Sequence, residues 1–252
     1  MDCRKIFNDK VAPEDFDQFR FQYCDELFAD VISYSKLDEA KRTLEIGPGT
    51  GQATEPIVQT GCSYLAIELG ENFAKSMKDK FHHYPNFSIV NADFETYPFG
   101  QNTFDLVYSA AAIQWIPEEI AFPRVYDMLK KNGVLAMFMT HTDYRTPNEK
   151  LYEKIQEVYT RFFKPEIPYT AKFDYKHAVK YGFVDFERRE YLQVVKFTAE
   201  QYVSFISIHA AQLTVPEPYK SHFLDGIRNA ILSFGNQITL NNTIVLYLAR
   251  KP

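Results

Sequence analysis

Short apolar runs and helix-spaced apolar faces take turns along most of this chain. Phe16, Phe19, Tyr23, Leu27, Val31 and Tyr34 recur every three or four residues. That is the spacing of one helix face, and it predicts a single long amphipathic helix over 16–35. Pro13, Glu14 and Asp15 stand at its start, where proline and acids are favoured. Five apolar segments then read as strands: Thr43–Ile46, Ser63–Leu69, Phe87–Ala92, Phe104–Ala110 and Val134–Thr140. Between them the pattern predicts a short helix over 52–59 and one capped by Asn72, with Phe73, Met77 and Phe81 on its buried face. A third helix is expected to open at Pro123 and to end at Lys130–Gly133, with cations and a left-handed pair.

Strands alternating with helices predict a doubly covered, mostly parallel sheet of the α/β class. The remainder of the chain breaks that rhythm. Thr146, Pro147 and Glu149 read as a capping box opening a helix with Leu151, Ile155, Val158 and Phe162 on one face. Tyr191–Phe197 reads as a strand, and Thr198 with Gln201 as a second capping box. Tyr202, Phe205, His209 and Leu213 continue at helical spacing, as do Tyr219, Phe223, Ile227, Ala230 and Phe234 before Gly235. Thr243–Ala249 closes the chain as a strand. The whole, 1–252, reads as one domain with a helical cap built from 13–35, 146–180 and 198–235.

Polar and special residues gather where the predicted strands end. An open α/β sheet binds its ligand at the carboxyl ends of its strands. Gly47–Gly51, Glu68 with Leu69, Asp93 with Phe94, and Ser109–Gln114 all fall there. The stretch TLEIGPGTGQAT carries Gly47, Pro48, Gly49, Thr50 and Gly51, a turn whose backbone can lie against a ligand with no Cβ between. The helix behind it aims N–H groups and a positive dipole end at the same place. A dinucleotide site has the spacing G-x-G-x-x-G, whereas this turn has G-x-G-x-G with an acid, Glu45, inside the strand before it. A carboxylate there suits a ligand with a positive group. Glu68 suits ribose hydroxyls, Asp93 an exocyclic amine, and Phe94 the face of an adenine. Those parts together describe S-adenosylmethionine, and they disfavour a nicotinamide dehydrogenase.

Composition narrows the partners. Lys+Arg 28 against Asp+Glu 33 gives a net charge of −5, which disfavours nucleic acid. The aromatic fraction, 16%, leaves open an aromatic-lined cavity or an aromatic-rich core. Cys3, Cys24 and Cys62 form no C-x-x-C pair, so neither zinc nor a disulfide framework is expected, and reduced cytoplasmic thiols fit. No metal constellation is visible, and no stretch of about 18 apolar residues stands ready to cross a membrane.

As a set, EIGPGTG, AIELG, NADF and LKKNGVL resemble the class I S-adenosylmethionine-dependent methyltransferases over the whole chain. SAAAIQWIPEE resembles their trans-aconitate methyltransferase-like, type 11 small-molecule branch. The resemblance implies a seven-stranded Rossmann-like sheet of order 3-2-1-4-5-7-6, strand seven antiparallel. It implies S-adenosylmethionine, leaving as S-adenosylhomocysteine, across Gly47–Gly51, with ribose on Glu68 and adenine near Asp93 and Phe94. FDQFRFQYCDELF keeps the Arg20 and Tyr23 of a cofactor-covering stretch but lacks its proline. Arg20 is the expected partner of the methionine carboxylate.

In-line methyl transfer asks mainly for alignment and exclusion of water. Trp115 and Tyr108, at the end of the fourth strand, are the aromatic faces expected beside the methyl. His141 is the candidate base, with Arg145 and His209 as further candidates for an acidic acceptor. The expected acceptor is a small molecule, carboxylate-bearing or apolar, and the expected assembly a monomer or homodimer. The competing reading is a module that binds S-adenosylmethionine without transferring methyl.

Overall fold

The computed structural model describes residues 10–166 and 172–252. Cys3 lies outside the described residues. The elements are α1 (Pro13–Phe19), α2 (Asp25–Ser35), β1 (Arg42–Ile46), α3 (Thr54–Val58), β2 (Ser63–Glu68), α4 (Glu71–Phe81), β3 (Phe87–Asn91) and β4 (Phe104–Ala110). They continue with α5 (Glu118–Met128), β5 (Leu129–Asp143), α6 (Glu149–Phe162), β6 (Val184–Phe197), α7 (Ala199–Ser207), α8 (Ala210–Leu213), α9 (Tyr219–Ser233) and β7 (Ile238–Arg250). Short 3₁₀ turns cover Ile113–Trp115 and Tyr175–Tyr181. The strands make one mixed sheet of order β3-β2-β1-β4-β5-β7-β6, the order the resemblance implied.

The first five strands pair in parallel, with Glu45 opposite Ala66 on one side and Tyr108 on the other. β1, β4 and the middle of β5 are buried on both faces, which is why they read as apolar runs, whereas the edge strand β3 is only half-buried. One face carries Leu44, Ile46, Val107, Leu135 and Met137, packed with Phe122 and Val125 of α5. The other carries Ala66, Leu106, Tyr108, Ala136 and Phe138, packed with Leu27 and Val31 of α2 and with Met77 and Phe81 of α4. The aromatic residues go largely into these layers: Tyr64, Tyr108, Phe73, Phe81, Phe104, Phe122 and Phe138 are all fully buried.

The chain forms two compact units. One comprises residues 22–139, 171–191 and 244–252, and the other residues 1–21, 140–170 and 192–243. The second has its own apolar core, where Leu151 and Ile155 of α6, Tyr202 and Phe205 of α7, and Phe223 and Ile227 of α9 meet.

Several boundaries differ from the pattern's prediction. The expected helix over 16–35 is two helices, because Arg20 and Cys24 adopt extended backbone. Phe21 packs on Phe197 and Phe205 in one unit, whereas Tyr23 packs on Phe28 and Phe138 in the other. Tertiary anchoring of neighbouring rings thus overrides a continuous helical spacing. Pro123 sits inside α5 and not at its start, since Pro117 already caps the helix with Glu118 and Glu119 in the first turn. Lys130–Gly133 belongs to β5, not to a helix end. The register against β4 shifts there, Asn132 takes φ 62°, and its N–H donates to the Lys251 carbonyl at 2.8 Å. The cap of α6 is Asn148, whose Oδ1 accepts from the Leu151 N–H at 3.2 Å, so Thr146 plays no capping part. Helix α4 opens after Gly70 without a side-chain cap from Asn72. The Thr198–Gln201 capping box forms as expected, with both reciprocal bonds present.

Candidate active site

The turn after β1 is made by left-handed backbone. Gly47, Gly49 and Gly51 have φ of 65°, 59° and 87°. At Gly47 the requirement is double, because a Cβ would also stand 2.5 Å from the Ala112 Cβ. The turn after β4 therefore presses directly on the turn after β1. Ala111 itself takes φ 55°, an unfavourable conformation for a residue with a Cβ. Ser109 locks the two together: its hydroxyl donates to the Ile46 carbonyl at 2.9 Å and accepts from the Ile113 N–H at 3.0 Å.

Glu68 ends β2 beside this turn. Its Oε2 accepts from the Gly49 N–H at 3.2 Å and its Oε1 from the Gly70 N–H at 2.8 Å. Burial pushes its pKa up, and the N–H groups of Gly70, Gly49 and Leu69 pull it back. A carboxylate held only by backbone donors retains acceptor lone pairs on both oxygens. That donor set fits vicinal hydroxyls, as in a ribose. Asp93 follows β3, half-buried, with Oδ1 accepting from the Glu95 N–H at 2.9 Å. Asn91 bridges the two strand ends, donating to the carbonyls of Glu68 and Leu69 at 2.9 and 3.0 Å. Thr50 is buried, and its carbonyl accepts from Lys80 at 3.0 Å. Gln114 is anchored by a bond from its Nε2 to the Ala111 carbonyl at 2.9 Å, and Trp115 beside it is half-buried.

Glu45 is placed otherwise than its expected role requires. It is fully buried, and its Oε2 accepts from Thr54 Oγ1 at 2.6 Å and from the Tyr64 hydroxyl. Tyr64 and Tyr108 bond to one another, and Tyr108 donates to the Ala53 carbonyl at 3.1 Å. Oε1 is buried without a partner. Burial pushes the Glu45 pKa up to about 7, against hydrogen bonds from Thr54, Tyr64 and Tyr108. Through Oε2 this carboxyl is tied to Thr54 and Tyr64 and supports the turn from inside. Tyr108 likewise belongs to the core, stacked on Phe138 at 6.1 Å, and not to a surface facing a methyl group. Phe94 is also buried, packed on Phe99 with Arg124 over its ring at 5.6 Å.

Gly47–Gly51, Glu68, Leu69, Asp93, Ser109 and Gln114 all lie in one unit. Arg20, His141, Arg145 and His209 lie in the other. Within that unit His141 is exposed on β5, and Arg20 follows α1 with its guanidinium 5.4 Å from the Phe16 ring. The sequence gives no site role to Gly70 or Asn91, and it places Ser109–Gln114 at a strand end without the left-handed backbone of Ala111. An alanine with positive φ leaves no trace in composition, and Gly70 reads as an ordinary helix start.

A family model described as a methyltransferase domain matches residues 44–137, from β1 into β5. The chain is 30% identical over 92 residues to a ribosomal RNA small subunit methyltransferase A of Hahella chejuensis, covering 36% of this chain and 33% of that protein. It is 30% identical over 113 residues to a trans-aconitate 2-methyltransferase of Rhizobium rhizogenes, covering 44% and 43%. Among the first curated relatives the match spans from about a third to three fifths of their own length. A phosphoethanolamine N-methyltransferase 2 of Haemonchus contortus, solved with phosphomonomethylethanolamine and S-adenosylhomocysteine, shares the fold at a TM-score of 0.58. It is 18% identical and covers all of this chain and 60% of that one.

Proposed function

We propose, from a chain that carries a methyltransferase domain of the class I fold, that the protein binds S-adenosylmethionine and methylates a small-molecule acceptor. The observation that carries the reading is Glu68, held by the N–H groups of Gly49 and Gly70 beside three left-handed glycines. When bound, S-adenosylmethionine supplies a methyl on a sulfonium whose thioether is already a good leaving group. Gly47–Gly51 offers the close backbone approach, Glu68 accepts from ribose hydroxyls, and Asp93 accepts from the adenine amine. Ser109 keeps the β1 and β4 turns in register, and Gln114 and Trp115 stand on the turn that follows. Orientation of this kind is worth roughly 7–11 kcal/mol of the barrier.

A small acceptor agrees with the net charge of −5 and with the trans-aconitate 2-methyltransferase relative. The ribosomal RNA relative argues the other way, but this chain has no basic excess to hold a phosphate backbone. Calorimetric titration tests the cofactor half. S-adenosylhomocysteine is expected to bind and NAD not to, and Glu68→Ala is expected to weaken the former about 100-fold, as loss of charge-assisted hydrogen bonds does. Binding of NAD alone would overturn the reading. Labelled S-adenosylmethionine incubated with a metabolite extract tests the acceptor half. A protein that binds the label tightly and methylates nothing is a binding module.

A further inference from the structure

Strand β6 (Val184–Phe197) ends the sheet order, with β7 on its one side. It is 14 residues long, whereas β3 at the opposite edge has 5. An edge strand carries a row of N–H and C=O groups outside the ladder, and a short edge limits that exposure. A long edge needs charges to blunt it or a partner to pair with it. We infer that β6 pairs antiparallel with the same strand of a second copy of this chain, about a two-fold axis at Gln193.

The first observation is an exposed apolar pair. Leu192 is 85% exposed and Val194 64%, the two highest values for large hydrophobic side chains among the described residues. Residues two apart on a strand share a face. Glu190, Leu192, Val194 and Lys196 are all exposed, and they alternate with half-buried Tyr191, Gln193 and Val195. A single apolar side chain at the surface is ordinary. Two together on an edge strand, with a charge on either side, make a surface that another strand can cover.

The second observation is the order of those four residues. Acid, apolar, apolar, base is its own complement when the strand is reversed. A two-fold axis perpendicular to the sheet keeps the exposed face of both strands on the same side, so opposed residues share a face. With the axis at Gln193, Leu192 stands opposite Val194 of the second copy, and Glu190 stands opposite Lys196. Each of these pairs occurs twice. On the other face Tyr191 stands opposite Val195. Apolar, aromatic–β-branched and opposite-charge pairs are the favourable cross-strand combinations, and like charges directly opposed are unfavourable.

The neighbouring registers are poorer. An axis at Leu192 sets Arg188 against Lys196, and one at Glu190 sets that acid against its own copy. Axes at Tyr191 and at Val194 set Leu192 against Glu190 and against Lys196. The charges thus exclude the wrong pairings and admit one, which is how an edge is kept from pairing at random. Glu190 already bonds to Arg188 of its own strand, so in the pair its carboxylate lies between two cations. An edge that pairs with itself is used up in doing so, and the assembly closes at two copies. Gly47–Gly51, Glu68 and Asp93 all lie off this strand, so the pairing is independent of the cofactor reading.

The test is sedimentation equilibrium of the full chain over a concentration series. The parent chain is expected to dimerise reversibly. Leu192→Asp sets a charge against Val194 twice, and Glu190→Lys opposes two lysines twice. Each is expected to weaken the dimer about ten-fold or more. The deciding variant combines Glu190→Lys with Lys196→Glu, which restores both ion pairs across the axis. It is expected to return the dimer to within about three-fold of the parent. The bond to Arg188 is lost in the single and the double variant alike, so the recovery reads only the contact between copies. All these positions are exposed, and thermal unfolding is expected to show every variant folded. A parent that stays monomeric at every concentration would overturn the inference. A dimer that no variant weakens would place the contact on another face and overturn it too. So would a double variant no better than Glu190→Lys alone, since the register at Gln193 would then be wrong. S-adenosylhomocysteine affinity is expected to be equal in all variants, and a chain that binds no cofactor yet dimerises as described leaves the pairing standing.

Discussion

The two compact units present their chemistry in different ways. In the unit of residues 22–139, 171–191 and 244–252, the site is written largely in backbone. Three glycines with positive φ, the N–H groups of Gly49 and Gly70, and the ends of parallel strands position one carboxylate, Glu68. In the other unit side chains from separate helices meet in an apolar core: Leu151 and Ile155 of α6, Tyr202 and Phe205 of α7, and Phe223 and Ile227 of α9. A backbone turn needs a particular residue because another will not fit. A packed core needs apolar side chains of fitting volume, which many sequences supply.

The sharpest way to break this contrast is to add one carbon to the backbone site. Gly47→Ala puts a methyl at φ 65° and 2.5 Å from the Ala112 Cβ. Left-handed strain costs about 1–2 kcal/mol, and forced overpacking about 1–3 kcal/mol more. A loss of roughly 3 kcal/mol in denaturant unfolding is expected, with S-adenosylhomocysteine binding lost in the protein that remains folded. A stable, binding Gly47→Ala would show that the turn is held by side chains after all.

The same contrast explains what was legible in the sequence. The glycine spacing, Glu68 and Asp93 could be read because a strand end followed by a turn has its own signature. The direction of a side chain has none. Glu45 sits one residue from Ile46 and reads as part of the turn, yet it faces inward to Thr54 and Tyr64. Tyr108 and Phe94 read as ring faces for a ligand and prove to be core. The break between α1 and α2 was invisible because it depends on Phe21 and Tyr23 choosing different partners.

Glu45 sharpens the comparison from inside the backbone site, since it is a side chain on which the turn depends. Its pKa is raised from 4.5 to about 7 on folding. The native state thus holds more protons than the unfolded chain between those values, and stability falls as pH rises from about 4.5 through 7. The contribution is at most roughly 3 kcal/mol at pH 8. Glu45→Gln keeps an acceptor for Tyr64, removes the ionisation and gives the partnerless Oε1 position a neutral group. Its unfolding free energy is expected to vary less with pH over 5–8 than that of the parent chain. Parallel pH profiles for the two would show that Glu45 does not titrate in this range.

The smallest effect belongs to the second unit and isolates a local rule from any site. Thr198 accepts from the Gln201 N–H at 3.3 Å, and Gln201 Oε1 accepts from the Thr198 N–H at 2.9 Å. Thr198→Ala removes one of these bonds and leaves the first turn of α7 with an unpaired donor. Loss of an N-cap costs about 1 kcal/mol. Helix α7 also carries Tyr202 and Phe205 of this unit's core, whereas the turn of Gly47–Gly51 belongs to a different unit. The expected result is a stability loss of about 1 kcal/mol by denaturant unfolding and unchanged S-adenosylhomocysteine binding. Weakened S-adenosylhomocysteine binding would mean that a change in one unit reaches the chemistry of the other.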